Sequence, residues 1–373
     1  MSLVSSTYTE LTYKPKISQP YLGQLKRETR NKTVDQTNYL MPVIESKYNP
    51  PAWLENGHFQ SVFPTLFRKV EGVEYRRERI STPDDDFLDL DWSAPGSDSL
   101  AIISHGLEGN SNRNYVKGMV EYLNRNGLDA CAWNMRGCSG EPNRKPMLYH
   151  SGATYDLDTV VLHILKSYSY EEIYFVGFSL GGNLTIKYFG EEADALDEKI
   201  IGGIAFSVPV DLTTSSKQLA RTINTPYMMR FLRKLQEKIE IKEKLYPNTI
   251  SAKGFSKIRD FKGFDDRYTA PLHGFRDAED YWVKASSKPY IKSVRRPLLL
   301  INAKDDPFLT PECYPVEEAE KNPYFYLEMP ARGGHTGFIT DNINGIYWSE
   351  LRALEFYHEL IRNKASLEDW QTA

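Results

Sequence analysis

The chain has 373 residues, 40% of them hydrophobic and 26% charged, with a formal net charge of −4. A chain of this length buries a sizeable core without disulfides or structural metals, and its slight acidity gives no sign of the basic surface that nucleic acid or an anionic membrane attracts. Cys131, Cys138 and Cys313 form no C-x-x-C pair, which fits a reducing compartment and argues against a zinc site.

Met1 to Pro20 is polar, without the apolar run of a signal peptide. No stretch of about 18 apolar residues occurs anywhere, so no transmembrane helix is expected. The expectation is a cytoplasmic protein. Residues 1–40 have no hydrophobic period and read as an N-terminal arm, partly disordered, ahead of a single domain over 41–373. Around Arg79–Ser81 and Phe87–Trp92, two strand-like runs flank a Pro-Asp-Asp-Asp turn and predict an antiparallel hairpin. Leu100–Ser104 is a short apolar run suited to a strand buried on both faces. Tyr115–Asn124 has helical spacing with Gly127 as a stop, and Leu128–Trp133 is the next strand. Leu157, Val160, Val161, Ile164 and Leu165 mark one face of a helix. Glu172–Gly177 predicts a strand, and Leu180–Phe189 a helix stopped by Gly190. Ile200–Val208, Pro297–Ile301 and Tyr324–Met329 complete the strands, and a helix from Tyr347 to Asn363 closes the chain. Such alternation signals a mostly parallel sheet with helices on both faces. The interval at about 211–290 is helical, charged and aromatic, and reads as an inserted helical cap over the edge of the sheet where α/β sites lie.

The strongest chemical signal is Gly177-Phe178-Ser179-Leu180-Gly181-Gly182, with an apolar strand running in and a helix leaving. That context is a nucleophile elbow, which presents Ser179 on a sharp turn. A serine hydroxyl needs a base, and His335 sits in the loop Arg332–Gly337 after the last strand, where an α/β fold presents one. The imidazole in turn needs a carboxylate, and two adjacent candidates follow the penultimate strand. Asp306 is preferred, because Ala303 turns the chain before it and Pro307 fixes the backbone after it; Asp305 is the alternative. The oxyanion requires two N–H donors, assigned to the backbone of Leu180 and of Leu107 in His105-Gly106-Leu107-Glu108-Gly109. His105 and Arg136 are assigned structural roles. No His/Asp/Glu cluster has ligand spacing, so neither cofactor nor metal is expected. A methionine- and aromatic-rich stretch, Tyr227, Met228, Met229, Phe231 and Leu232, is either an acyl pocket or ordinary cap packing.

These residues resemble one branch of the α/β-hydrolases, the YheT-like group related to yeast medium-chain ethyl-ester synthase/esterases. The similar segments are Asn56–Ser61, Ser104–Gly109, Gly177–Asn183, Phe264–Phe275, Asp305–Phe308 and Gly333–His335. The resemblance implies an α/β-hydrolase fold with a Ser179–Asp306–His335 triad acting on carboxylic esters or passing the acyl group to an alcohol. The family segment near the start more often ends in threonine where this chain has Ser61. The leading expectation is ester hydrolysis through an acyl-enzyme, on a small-molecule substrate of short to medium acyl chain. The alternatives are acyl transfer to an alcohol and a catalytically inactive binding protein of hydrolase fold; the oligomeric state stays open.

Overall fold

A computed structural model describes residues 42–341 and 345–371; the expected N-terminal arm, residues 1–40, lies outside the described residues. Among the described residues, nine strands form one sheet: β1 Val43–Ile44, β2 Arg76–Ser81, β3 Phe87–Ser93, β4 Ser99–Ser104, β5 Asp129–Asn134, β6 Glu172–Phe178, β7 Ile200–Phe206, β8 Leu298–Ile301 and β9 Phe325–Glu328. Their order is β1-β9-β8-β7-β6-β4-β5-β3-β2. Only β2–β3 and β3–β5 pair antiparallel; the other contacts are parallel. The expected hairpin is β2–β3, with Ser81 opposite Phe87.

The central strands are apolar at almost every position because helices cover both faces. Leu100 to Ile103 of β4 and Tyr174 to Val176 of β6 are fully buried. The first helix, α1 (Gly57–Phe67), precedes β2, and α8 (Val316–Lys321) lies between β8 and β9. Two helix pairs cover the sheet: α2 (Asn114–Arg125) packs with the C-terminal α9 (Trp348–Gln371), and α3 (Thr154–Ser167) with α4 (Leu180–Glu192). Gly190 does not stop α4, which runs on to Glu192. A Cβ on Gly190 would lie 2.3 Å from the Tyr290 carbonyl oxygen, so the glycine allows close packing rather than a helix stop. The true end is Ala193, at φ 47°. β1, a two-residue edge strand, carries no pattern long enough to read in the sequence.

Register sets where the chemistry sits. Ser104 pairs with Gly177, Phe178 with Phe206, Phe206 with Ile301, and Ile301 with Glu328. The strands β4, β6, β7, β8 and β9 therefore end level with one another. The segments that follow them, carrying Leu107, Ser179, Ser207, Asp306 and His335, emerge on the same edge, as in other α/β proteins.

Between β7 and β8 there is no strand. Helices α5 (Leu212–Leu219), α6 (Thr225–Leu245) and α7 (Ala278–Ala285) are the longest elements of that interval. They hold a cluster of their own that includes Leu212, Met228, Leu232, Leu235, Ile239, Phe264 and Trp282. Each such side chain withdrawn from water contributes roughly 1.5–3 kcal/mol before entropy is counted.

Candidate active site

Ser179 stands at φ 53°, ψ −117°, a backbone conformation that costs a non-glycine residue of the order of 1–3 kcal/mol. Its surroundings hold it there. The Ser179 N–H donates to the Phe206 carbonyl at 2.8 Å, and its own carbonyl accepts from Asn183 N at 3.0 Å, opening α4. A Cβ on Gly181 would lie 2.3 Å from the Ser104 carbonyl oxygen, so only glycine lets α4 start this close to the end of β4.

His335 reaches both of its expected neighbours. Its Nε2 is 2.9 Å from Ser179 Oγ and its Nδ1 is 2.8 Å from Asp306 Oδ2. A carboxylate only accepts, so Nδ1 carries the proton and Nε2 is free to accept from the serine hydroxyl. The Asp306 side chain is fully buried, and its other oxygen accepts from Phe308 N at 2.9 Å. The Phe308 ring lies against the imidazole, with centroids 4.2 Å apart.

Asp305 does not touch the imidazole. Its Oδ1 accepts from Gly334 N at 2.9 Å, which ties down the loop one residue before His335. Burial raises the Asp305 carboxyl above the ordinary range, against the pull of that N–H. Two further hydroxyls hold the same loop. Ser61 Oγ accepts from His335 N at 2.7 Å and donates to Gly57 O at 2.6 Å, and Ser207 Oγ accepts from Thr336 N at 2.8 Å. A threonine at 61 would offer the same hydroxyl.

Leu107 and Leu180, the expected oxyanion donors, both line the cavity that holds Ser179. Leu180 opens α4, so its N–H has no acceptor within the helix. Neither N–H is hydrogen-bonded to another described residue. Gly106 brings the first loop in close, since a Cβ there would lie 3.2 Å from Ser179 Cβ. Buried contacts fix that loop. Gly106 N donates to Tyr115 OH at 2.9 Å, and Glu108 N to Tyr149 OH at 2.7 Å. His105 Nε2 accepts from Met135 N at 3.2 Å, which leaves Nδ1–H to meet the Gly106 carbonyl at 2.8 Å. Burial pulls the His105 pKa down to about 4, so the ring stays neutral and structural. Arg136 is structural too: its guanidinium binds Asp84, Asp86 and Asp156, at 2.7, 3.1 and 2.7 Å.

A cavity of about 320 Å³ opens above the serine, lined by Ser179, His335, Leu107 and Leu180 and roofed by residues between β7 and β8 such as Leu212, Phe231 and Phe264. Of the methionine- and aromatic-rich stretch, Tyr227 and Phe231 face this cavity, Met228 and Leu232 are buried in the cluster of that interval, and Met229 is exposed. Among the other histidines, His58, His163 and His358 lie on helices. His150 lies in a buried loop on the cavity wall, with its ring centroid 4.5 Å from that of His273. Asn183, buried on α4, donates to the Ser151 and Ala285 carbonyls at 2.8 Å each and accepts from Ser287 N at 2.9 Å. It thereby joins the helix behind the serine to the chain leaving α7. No spacing rule in the sequence marks Asn183, Ser207 or Tyr149, because their partners lie far away along the chain.

An elbow serine facing a loop histidine and a buried aspartate, on the edge of a parallel sheet, defines the hydrolase class of α/β proteins. The family described as the alpha/beta hydrolase fold matches residues 102–342, and the chain belongs to that family. Within it the chain is 32% identical over 300 residues to the putative esterase YheT of Escherichia coli, covering 79% of this chain and 87% of that one, which places it in the YheT-like branch. It is 33% identical over 326 residues to a monoacylglycerol lipase of Saccharomyces cerevisiae, covering 82% of this chain and 69% of that one. An esterase structure from Pyrococcus furiosus superposes with a TM-score of 0.52 at 21% identity, covering 84% of this chain and 97% of that chain, a likeness of fold.

Proposed function

We propose that this protein hydrolyses carboxylic esters through an acyl-enzyme on Ser179. The observation that carries the reading is the position of His335, 2.9 Å from the serine hydroxyl and 2.8 Å from a fully buried carboxylate. Ser179 Oγ attacks the ester carbonyl while His335 Nε2 takes its proton. Asp306 stabilises the imidazolium that forms, and the N–H groups of Leu107 and Leu180 receive the oxyanion. His335 then returns the proton to the departing alcohol. In the second half His335 activates a water molecule, which attacks the acyl carbon; the acid leaves and Ser179 regains its proton. The names of the relatives, an esterase and a lipase, support ester substrates. The largely apolar cavity supports an acyl chain of short to medium length, and its size is that of a small-molecule site.

The test is covalent labelling. A fluorophosphonate probe should modify one residue, Ser179, as read by peptide mass spectrometry. Ser179→Ala should remove the label, and prior incubation with a turned-over ester should slow it. Labelling of another serine, or none in folded protein, contradicts the proposal.

A further inference from the structure

One stretch of the cavity wall carries charge that the chemistry at Ser179 does not require. Arg113, just before α2, and Arg230 and Lys234, one turn apart on α6, all line the cavity. Arg113 Nη2 and Lys234 Nζ donate to the same neutral acceptor, the Glu108 carbonyl, at 2.9 and 3.0 Å. Arg230 has neither a hydrogen bond nor an ion pair among the described residues; the groups that act on it are mainly its fellow cations Arg113 and Arg233.

The two carboxyl groups on the wall are engaged elsewhere. Glu108 Oε1 accepts from Tyr149 OH at 2.8 Å and pairs with Lys238 at 2.9 Å. The oxygens of Asp265 accept from Thr269 Oγ1 at 2.6 Å and Trp282 Nε1 at 2.8 Å. Three cations therefore share one wall, and the carboxylate that acts on Lys234, Glu108, is already engaged by Lys238 and Tyr149, while the positive end of α2 adds to the same field. Crowding like charges is unfavourable, and partial burial makes it more so. Partial burial and the charge of Arg113 push the Lys234 ammonium down to about 8, with Arg230 adding to the effect and Glu108 opposing it. An anion resting among the three would relieve that repulsion, and guanidinium groups match phosphate and carboxylate oxygens in pairs.

We propose that Arg113, Arg230 and Lys234 form a subsite for an anionic group, phosphate or carboxylate, on the alcohol half of the ester. The apolar residues that make up much of the cavity suit the acyl chain, which leaves the charge to the alcohol. The assignment rests on Ser179 being an ester-cleaving nucleophile. The reaction is the same hydrolysis: the acyl carbon–oxygen bond breaks, water supplies OH to the acid and H to the alcohol, and the anionic group stays on the alcohol.

Three octanoyl esters compared on the full-length protein test it: 1-octanoylglycerol, its 3-phosphate, and the octanoyl ester of glyceric acid, each followed by octanoate release. Expected is a kcat/KM at least about ten-fold higher for an anionic ester than for 1-octanoylglycerol, the worth of one charge-assisted hydrogen bond, with the advantage shrinking as salt is raised. The phosphate and carboxylate arms show which anion the subsite serves. Arg230→Gln should bring the ratio towards one, and Arg230→Lys should keep part of it. Because both substrates are read on the same preparation, the ratio does not depend on how much of a variant folds. A ratio near one in the wild type overturns the subsite while leaving the esterase intact, as does a ratio that survives Arg230→Gln combined with Arg113→Gln. Failure of the wild type to release octanoate in a Ser179-dependent way from any of the three removes the hydrolase reading and the subsite with it.

Discussion

Two adjacent carboxylates follow β8, and the structure gives them opposite duties, so their substitution should separate cleanly. Asp306 Oδ2 accepts the Nδ1 proton of His335 at 2.8 Å, while the Phe308 N–H holds its other oxygen at 2.9 Å. In Asp306→Asn the side chain keeps its shape, and the oxygen stays with the Phe308 N–H. The amide nitrogen then faces Nδ1 and donates to it. The imidazole proton moves to Nε2, which points at Ser179 and no longer accepts. A tautomer fixed the wrong way costs roughly 10⁴-fold in kcat, or about 5.4 kcal/mol at the transition state. Asp305→Asn retains the oxygen that receives the Gly334 N–H at 2.9 Å, so the His335 loop stays anchored. Its kcat should fall by less than about ten-fold, a loss of no more than about 1.4 kcal/mol. The assay is steady-state hydrolysis of a p-nitrophenyl ester by both variants, with circular dichroism to confirm folding. A large loss in Asp305→Asn beside a small one in Asp306→Asn would refute the assignment.

Ser61→Ala deprives the His335 N–H of its acceptor; kcat should drop by about ten-fold or more, and Ser61→Thr should restore it, both read in the same assay. Arg136→Ala leaves Asp86 and Asp156 buried without their cation, at a cost of about 3–5 kcal/mol, and should lower the melting temperature by about 5 °C in calorimetry. Asp265 supplies a pH dependence. Burial raises its carboxyl to about 7, against an unfolded value of about 3.9, so the folded state favours the protonated form. Its contribution is complete below about pH 4 and is lost as pH rises towards 7. Asp265→Asn should therefore gain stability relative to the wild type as pH goes from 5 to 8; a difference that is flat, or that runs the other way, contradicts this.

Most of the sheet is legible because its strands are short apolar runs buried on both faces, as Leu100–Ile103 and Tyr174–Val176 illustrate. Local chemistry also makes the elbow legible: a glycine-bounded serine between strand and helix has few other uses. The order of strands is not legible, since it depends on which apolar faces meet rather than on any run of residues. Gly190 reads as a helix stop for the same reason, because the close approach of Tyr290 that requires a glycine is a tertiary contact. Choosing between Asp305 and Asp306 turns on where two neighbouring side chains point after a strand, a matter of a few backbone dihedrals. The supports of the site are hidden for a further reason. Ser61 meets the backbone of His335 across 274 positions, and Thr336 meets Ser207 across 129. A lone serine has no pattern until the chain folds.

Every role assigned to the site depends on Ser179 carrying the acyl group. Hydrolysis of p-nitrophenyl esters from acetate to long chains, by wild type and by Ser179→Ala, tests it most directly. Activity should peak at a short or medium acyl length and fall to background in the variant. Activity that survives the loss of the Ser179 hydroxyl would contradict it.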